Sequence, residues 1–352
     1  MEPSSVPRSG LWTAIGTDSR TRAGWADVTV RNVEAGVCTT AELRARGMSA
    51  GALRHAVATG RLVRLRRGVY CDGGLWRASA RQPAARHILE ARAAWLALGR
   101  RGWATGYSAA VIAGLPVPHG EPRQLRFSLP QRGHGRRAYH GLRLRTAGID
   151  QADVLLLHGV PVTAPARTAL DVAREHGFGV GLVLADAALR LGIASADELR
   201  RVADRLARWP GGRQSLLVAT HADGARESPA ESISYAAVVD AGLPLPRCNV
   251  WVVGHGAGGV RTDFVWREHR LVREVDGGVK YTDPRRPDRE LVLVDEKRRQ
   301  LRIEEAGFVV VRWTGAEAIG RPEAVRERIL RHSRIAAEMY GVAPLDHEAL
   351  AR

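Results

Sequence analysis

The chain has 352 residues, 45% of them hydrophobic and 26% charged, which leaves room for two or three domains and argues against wholesale disorder. The formal net charge is +16, and the excess sits in one part of the chain: residues 1–226 carry 33 basic and 17 acidic side chains, and residues 227–352 carry 20 and 20. A basic body points to a polyanionic partner, most often nucleic acid, against the competing reading of a compositional Arg habit. Cys38, Cys71 and Cys248 are odd in number and far apart, which speaks against a disulfide framework or a structural zinc site. No charged segment followed by an apolar core opens the chain, and no apolar run approaches the ~18 residues of a membrane span. The expected location is therefore cytoplasmic, without a membrane partner.

Residues 1–26 are rich in Ser, Pro, Gly and Arg and are expected as a loose leader. Residues 27–78 then read as a winged helix-turn-helix. Thr39 or Thr40 caps a short helix bearing Ala41, Leu43 and Ala45, and Gly47 breaks it. Ser49 caps a second helix with Leu53, Ala56 and Val57 on one face, and Gly60 ends that helix. An alternating, arginine-dense ribbon runs from Arg61 to Tyr70. In that arrangement Arg54 and His55 face a DNA groove, while Arg61, Arg64, Arg66 and Arg67 meet phosphates.

Residues 79–222 are expected as a mixed α/β middle domain. Helices are predicted over His87–Leu98, Ser108–Ala113, Gly181–Leu191 and Asp197–Ala207, and strands over Leu125–Pro130 and Leu142–Thr146. Val162 to Asp171 reads as a turn entering a helix. Asp171 and Asp186 lie on helix faces, as capping or salt-bridge residues rather than catalytic ones. Gly211-Gly212 and the change in charge balance predict a boundary near residue 222.

Residues 223–352 hold the densest constellation. Ser228, Pro229 and Glu231 fit N-cap, N1 and N3 of a helix, so Glu231 has both a capping and a site reading. Strands come next at Val260–Trp266 and His269–Gly277. On the second, Glu274 and Asp276 share a face, and Asp263 sits near the middle of the first. Three convergent carboxylates call for a cation, and hard oxygen ligands suit Mg²⁺ or Mn²⁺. Lys280 comes after them, then a long helix over Asp288–Ala306 carrying Glu296-Lys297-Arg298-Arg299, then the buried strand Phe308–Trp313. Lys280 and Lys297 are the only lysines among 53 basic residues, a hint that an ammonium is needed where they stand.

Six phrases in order, Ser228-Pro-x-Glu-Ser, Gly242-Leu-Pro-x-Pro, Val260-Arg-x-Asp-Phe, Glu274-Val-Asp-Gly-x-x-Lys-Tyr, Glu296-Lys-Arg-Arg and Gly307-Phe-x-Val-x-Arg-Trp, resemble the PD-(D/E)XK nuclease superfamily, nearest its very-short-patch-repair branch. The resemblance implies a restriction-endonuclease-like α/β/α core with Asp263 and Glu274 as the metal-binding acid pair. Asp276 stands where the superfamily has its lysine. Either Asp276 is a further metal ligand and Lys280 or Lys297 supplies the positive charge, or the site is impaired. Val37 to Tyr70 is similar to the winged helix of AbiEi-type antitoxins. Thr105-Gly-Tyr-Ser-Ala-Ala to Gly114-Leu-Pro and Val162-Thr-Ala-Pro-Ala-Arg-Thr are similar to the region C-terminal to the winged helix in such proteins. That likeness implies DNA binding, with autoregulation or phage defence as its setting, and a toxin as a candidate partner that it does not identify.

The expected fold class is thus multidomain α/β (α+β). Two functions are carried forward. One is a Mg²⁺-dependent endodeoxyribonuclease in which Asp263, Glu274 and Asp276 hold metal and Lys280, Lys297 or Glu231 complete the site. The other is a non-catalytic DNA-binding transcriptional regulator of AbiEi antitoxin type. No specific residue pattern supports a third reading, a structural or interaction protein whose arginines bind RNA or acidic proteins.

Overall fold

The structure, a computed structural model, describes residues 36–130, 141–146, 148–254, 259–275 and 289–345 and the backbone strand β1 (Trp12–Thr13); of Val275 and residues 289–295 it describes the backbone alone. The protein is mixed α/β, with several sheets. Its contacts group into two compact units: the described residues of Trp12–Glu175 with Ala194–Leu216, and those of His176–Ile193 with Leu217–Arg352.

In the first unit, β2 (Val37–Thr39) leads into α1 (Thr40–Ala45) and α2 (Ala50–Ala58), and then into the hairpin β3 (Leu62–Arg66) and β4 (Val69–Asp72). The three strands form one antiparallel sheet in the order β2-β4-β3. Helix α3 (Gly73–Ala78) and the 15-residue α4 (Pro83–Ala97) come next. Then come β5 (Trp103–Ala104), α5 (Gly106–Ile112), β6 (Val117–Pro118), β7 (Leu125–Leu129), β8 (Leu142–Thr146), β9 (Val154–Leu157) and β10 (Val160–Thr163). β1 pairs with β6, and the others form a five-stranded sheet ordered β8-β7-β5-β10-β9.

The small sheet and the five-stranded sheet share one core. Val37, Val69 and Cys71 from the first belong to the same buried cluster as Ile88 and Leu89 of α4 and Phe127 and Val162 of the second. The sequence reading separates domains at residue 78; the packing runs straight through that point. Each such apolar side chain, once buried, contributes about 1.5–3 kcal/mol, so sharing a core ties the two sheets together.

Helix α6 (Pro165–His176) opens where the sequence predicts a turn entering a helix. Its Arg167 joins Asp153 at 3.1 Å and Asp171 at 2.7 Å, and Arg174 also binds Asp171. Asp171 is thus a salt-bridge residue. After α7 (Phe178–Arg190) and α8 (Ala196–Leu206) comes α9 (Gly212–His221), a helix that the sequence reading leaves as a boundary. The doubled glycine there serves close packing: a Cβ on Gly212 would stand 2.4 Å from the carbonyl oxygens of Leu206 and Ala207.

The second unit contains α7, α10 (Pro229–Asp240), the strands β11 (Arg247–Val253), β12 (Val260–Trp266), β13 (Leu271–Val275) and β14 (Val309–Trp313), and the helices α11 (Arg289–Glu305), α12 (Gly315–Gly320) and α13 (Pro322–Tyr340). The sheet order is β11-β12-β13-β14. The first three strands are antiparallel, and β14 lies parallel to β13, with α11 as the crossover. One face, with Val265 and Val272, packs against Ile303 of α11. The other presents Arg273, fully buried, whose guanidinium donates to Ser234 of α10 and to the carbonyl of Trp313.

The sequence reading assigns α7 to the middle domain, yet α7 packs in this second unit. The cause is Asp186, which takes two bonds from Arg226 at 2.6 and 2.8 Å and one from Ser232 at 2.7 Å, all in side chains no more than 2% exposed. Asp186 is, as read, a salt-bridge residue, and its partner lies 40 positions away.

Candidate functional site

The first candidate surface is built by caps. Thr39 accepts from the Glu42 backbone at 3.2 Å, and the Glu42 carboxylate accepts from the Thr39 backbone at 2.7 Å, a complete capping box for α1. Gly47, at φ 85°, turns the chain, and Ser49 caps α2 through Ala52 at 3.1 Å. Leu53 and Ala56 face inward, so Arg54 and His55 are left exposed on the opposite side. The hairpin turns at Gly68, and Arg61, Arg64 and Arg67 are exposed on or beside it. None of these four arginines has an ion-pair partner among the described residues.

Arg66 departs from this pattern. The register of β3 against β4 shifts between Arg64 and Arg66, which breaks the simple alternation that predicts a phosphate contact. Arg66 is instead half-buried near Glu90 of α4. Burial holds its pKa below the ordinary arginine value, with Glu90 acting the other way. Burial likewise pushes the Glu90 carboxyl up, against the pull of Arg86 and Arg66.

The second candidate lies on the four-stranded sheet. The pairs Phe264 with Arg273 and Val265 with Val272 fix the register of β12 against β13. Two positions from Val265 and Val272 respectively, Asp263 and Glu274 share with them, by strand alternation, the face covered by α11. Glu231 and Asp263 line one cavity of about 360 Å³, with Glu227, Asn249, Arg261 and Arg299. Glu231 is buried at 6% exposure and accepts from the Glu227 backbone, from Ser228 and from Asn249, at 2.7–2.9 Å. The capping-box reading predicts a reciprocal bond from the Ser228 backbone; it comes from the Glu227 backbone instead, while Ser228 still caps the Glu231 amide.

Glu274 is itself neutralised. Arg299 of α11 meets one oxygen at 2.6 Å, and Arg312, its parallel partner on β14, approaches the other at 3.4 Å. Arg299 also donates to the Arg261 carbonyl, so it links Glu274 to the rim of the Asp263 cavity. Lys297 is exposed and lines a different cavity, with Glu296, Glu304 and Arg312. Asp276 and Lys280 lie outside the described residues. Among the described residues no group of three His, Cys, Asp or Glu side chains is placed to hold a metal ion.

The sequence reading assigns no role to Asn249, Arg299 or Arg312. The last two stand inside phrases it quotes, Glu296-Lys-Arg-Arg and Gly307-Phe-x-Val-x-Arg-Trp, but their pairing with Glu274 appears only when α11 crosses over the sheet. No helix among the described residues is long and apolar enough to cross a membrane.

Residues 34–71 match the family described as "Transcriptional regulator, AbiEi antitoxin". The match spans the described parts of β2, the two helices and nearly all of the hairpin. Two proteins of Mycobacterium tuberculosis, each named as uncharacterized, from strains CDC 1551 / Oshkosh and ATCC 25618 / H37Rv, are 31% identical to this chain over 175 residues. Each alignment covers 48% of this chain and 60% of the relative, so the chain spans less than two thirds of the relatives' length.

Proposed function

We propose that the protein is a DNA-binding transcriptional regulator of the AbiEi antitoxin type. The observation that carries the reading is the exposed set Arg54, His55, Arg61, Arg64 and Arg67, whose arginines have no ion-pair partner among the described residues, on a helix-turn-helix with its hairpin inside the segment that matches the family. Helix α2 is the reading element, because its N-terminal half carries short side chains and then Arg54 and His55 toward solvent. The hairpin arginines flank it and neutralise backbone phosphates, which sets affinity but not sequence preference. A toxin partner belongs to the same reading.

The test is fluorescence anisotropy with duplex DNA that includes the sequence upstream of the protein's own gene. The expected result is salt-sensitive binding that weakens when Arg54 or Arg67 becomes Ala. Binding that is indifferent to both substitutions and to salt overturns the reading.

A second reading, phosphodiester hydrolysis by the C-terminal unit, is favoured by one observation: Glu231 and Asp263 line one cavity together with Arg299, which also bonds Glu274. Carboxylate oxygens are the right donors for Mg²⁺ or Mn²⁺. The described donor set does not fit a resident ion, however. Both oxygens of Glu274 meet guanidinium groups, and Glu231 is already held by three donors. Plasmid incubation with Mg²⁺, Mn²⁺ or EDTA decides this reading. Metal-dependent nicking lost in Glu274→Ala would establish it, and intact plasmid throughout, with DNA still bound, would remove it.

A further inference from the structure

In the first unit, the inner side of the hairpin, α4 and the segment leading into β7 enclose a cavity of about 430 Å³. It is lined by three guanidinium groups, Arg64, Arg66 and Arg123, and by the carboxylate of Glu90, with Glu121 standing 3.8 Å from Arg123, which leaves an excess of one positive charge. Inside, His87 lines the cavity at only 8% exposure, and its Nε2 has no hydrogen-bond partner among the described residues. A buried, unsatisfied ring nitrogen is costly unless something else satisfies it. Burial holds the imidazole pKa down to about 4, so at neutral pH this group is an uncharged polar contact and not a further cation.

We propose that this cavity binds a mononucleotide-class ligand, a small molecule joining a phosphate to a flat heterocycle. The cationic excess at the rim calls for an anion, and guanidinium forks match phosphate oxygens. The interior calls for something else. His87 and the partly buried Glu90 offer polar contacts to an uncharged edge, exposed Gln124 adds an amide at the mouth, and Leu65 and Trp76 supply apolar wall. Trp76 is held rigid by Arg86, whose guanidinium stacks 3.4 Å from the ring centroid and also bonds the Trp76 carbonyl. The lining is more polar than apolar, which suits an anionic, hydrogen-bonding ligand over a purely apolar one. The site shares Arg64 with the proposed DNA contacts but does not depend on that reading, since Arg66, His87 and Glu90 lie outside the DNA-contact set.

The experiment is isothermal titration of the full-length chain with AMP, GMP, CMP and UMP in turn, and with inorganic phosphate. The expected result is saturable one-to-one binding of at least one nucleotide, about tenfold or more tighter than inorganic phosphate. The double variant Arg64→Ala, Arg123→Ala, both exposed side chains, should weaken that binding at least tenfold with an unchanged melting temperature. Glu90→Gln should change the ranking of the four bases. Absence of saturable binding by all four, equal affinity for inorganic phosphate, or full affinity in the double variant each overturns the proposal. Duplex DNA distinguishes a second source of the same phosphate chemistry. If the duplex binds through Arg64 and Arg123 while no mononucleotide does, the cavity is a seat for DNA backbone and the proposal falls.

Discussion

The helix-turn-helix and the C-terminal sheet use the same basic side chain in opposite ways. Around α2 and the hairpin, Arg54, Arg61, Arg64 and Arg67 stand exposed without ion pairs among the described residues. In the C-terminal unit, Arg226 is buried on Asp186, Arg299 and Arg312 close on Glu274, Arg261 meets Glu227, and Arg328 meets Glu317. The net charge of each half reflects this difference: where arginine is unpaired it is available to an outside polyanion, and where it is paired it organises the fold.

The largest expected effect comes from breaking the buried pair. Asp186→Ala leaves Arg226, 2% exposed, without its carboxylate, and should cost about 3–5 kcal/mol in urea unfolding. A loss below 1 kcal/mol, on the order of a surface pair, would mean that the pairing does not organise this unit. The second effect is a pH dependence of the first unit. His87 titrates near 6.5 when unfolded and is held to about 4 when folded. Below the unfolded value the unfolded chain binds the proton and the native chain does not. Stability is therefore full above pH 6.5 and falls by about 3 kcal/mol as pH drops toward 4. Chemical denaturation across that range, beside His87→Leu, checks it: the variant should lose most of the slope.

Next in size is the exposed set. Arg54→Ala should weaken DNA binding by about 1–3 kcal/mol, and Arg67→Ala should reduce the salt slope by about 1, both with melting temperatures unchanged. A drop in stability instead would place these arginines with the paired kind. The smallest effects are about 1 kcal/mol each. Ser49→Ala removes the cap of α2. Glu274→Gln loosens Arg299 and Arg312, whose side chains are 42% and 31% exposed, so the loss is screened to about 1 kcal/mol or less. Thermal melts of the two variants check both.

Local signals are the legible ones. The caps at Thr39 and Ser49, the alternation of Val260–Trp266 and the long helix before Phe308 all lie within a few residues of their cause, and each is readable from the sequence. What escapes depends on distance or on a break in periodicity. β11 has a register shift between Trp251 and Val253 and a positive φ at Asn249, so its alternation is interrupted. Gly211-Gly212 reads as a boundary, although the second glycine is there for close packing. Arg66 looks like its neighbours until the register shift in β3 separates it from them. In the C-terminal unit, Asp263 and Glu274 are legible as neighbours, because strand alternation is local. The arginines that hold Glu274 arrive from α11 and β14, and no pattern in the intervening sequence announces them.

The shared core of the two sheets in the first unit bears on how that unit opens. A chain cut after residue 78 would expose Val37, Val69 and Cys71, which in the whole protein lie against α4 and the larger sheet. The segment that matches the family is therefore not a portable module. Its amides should exchange with solvent on the same schedule as those of α4 and β7, as one cooperative unit. A protein built this way cannot loosen its two N-terminal helices alone: whatever relaxes the large sheet relaxes them too.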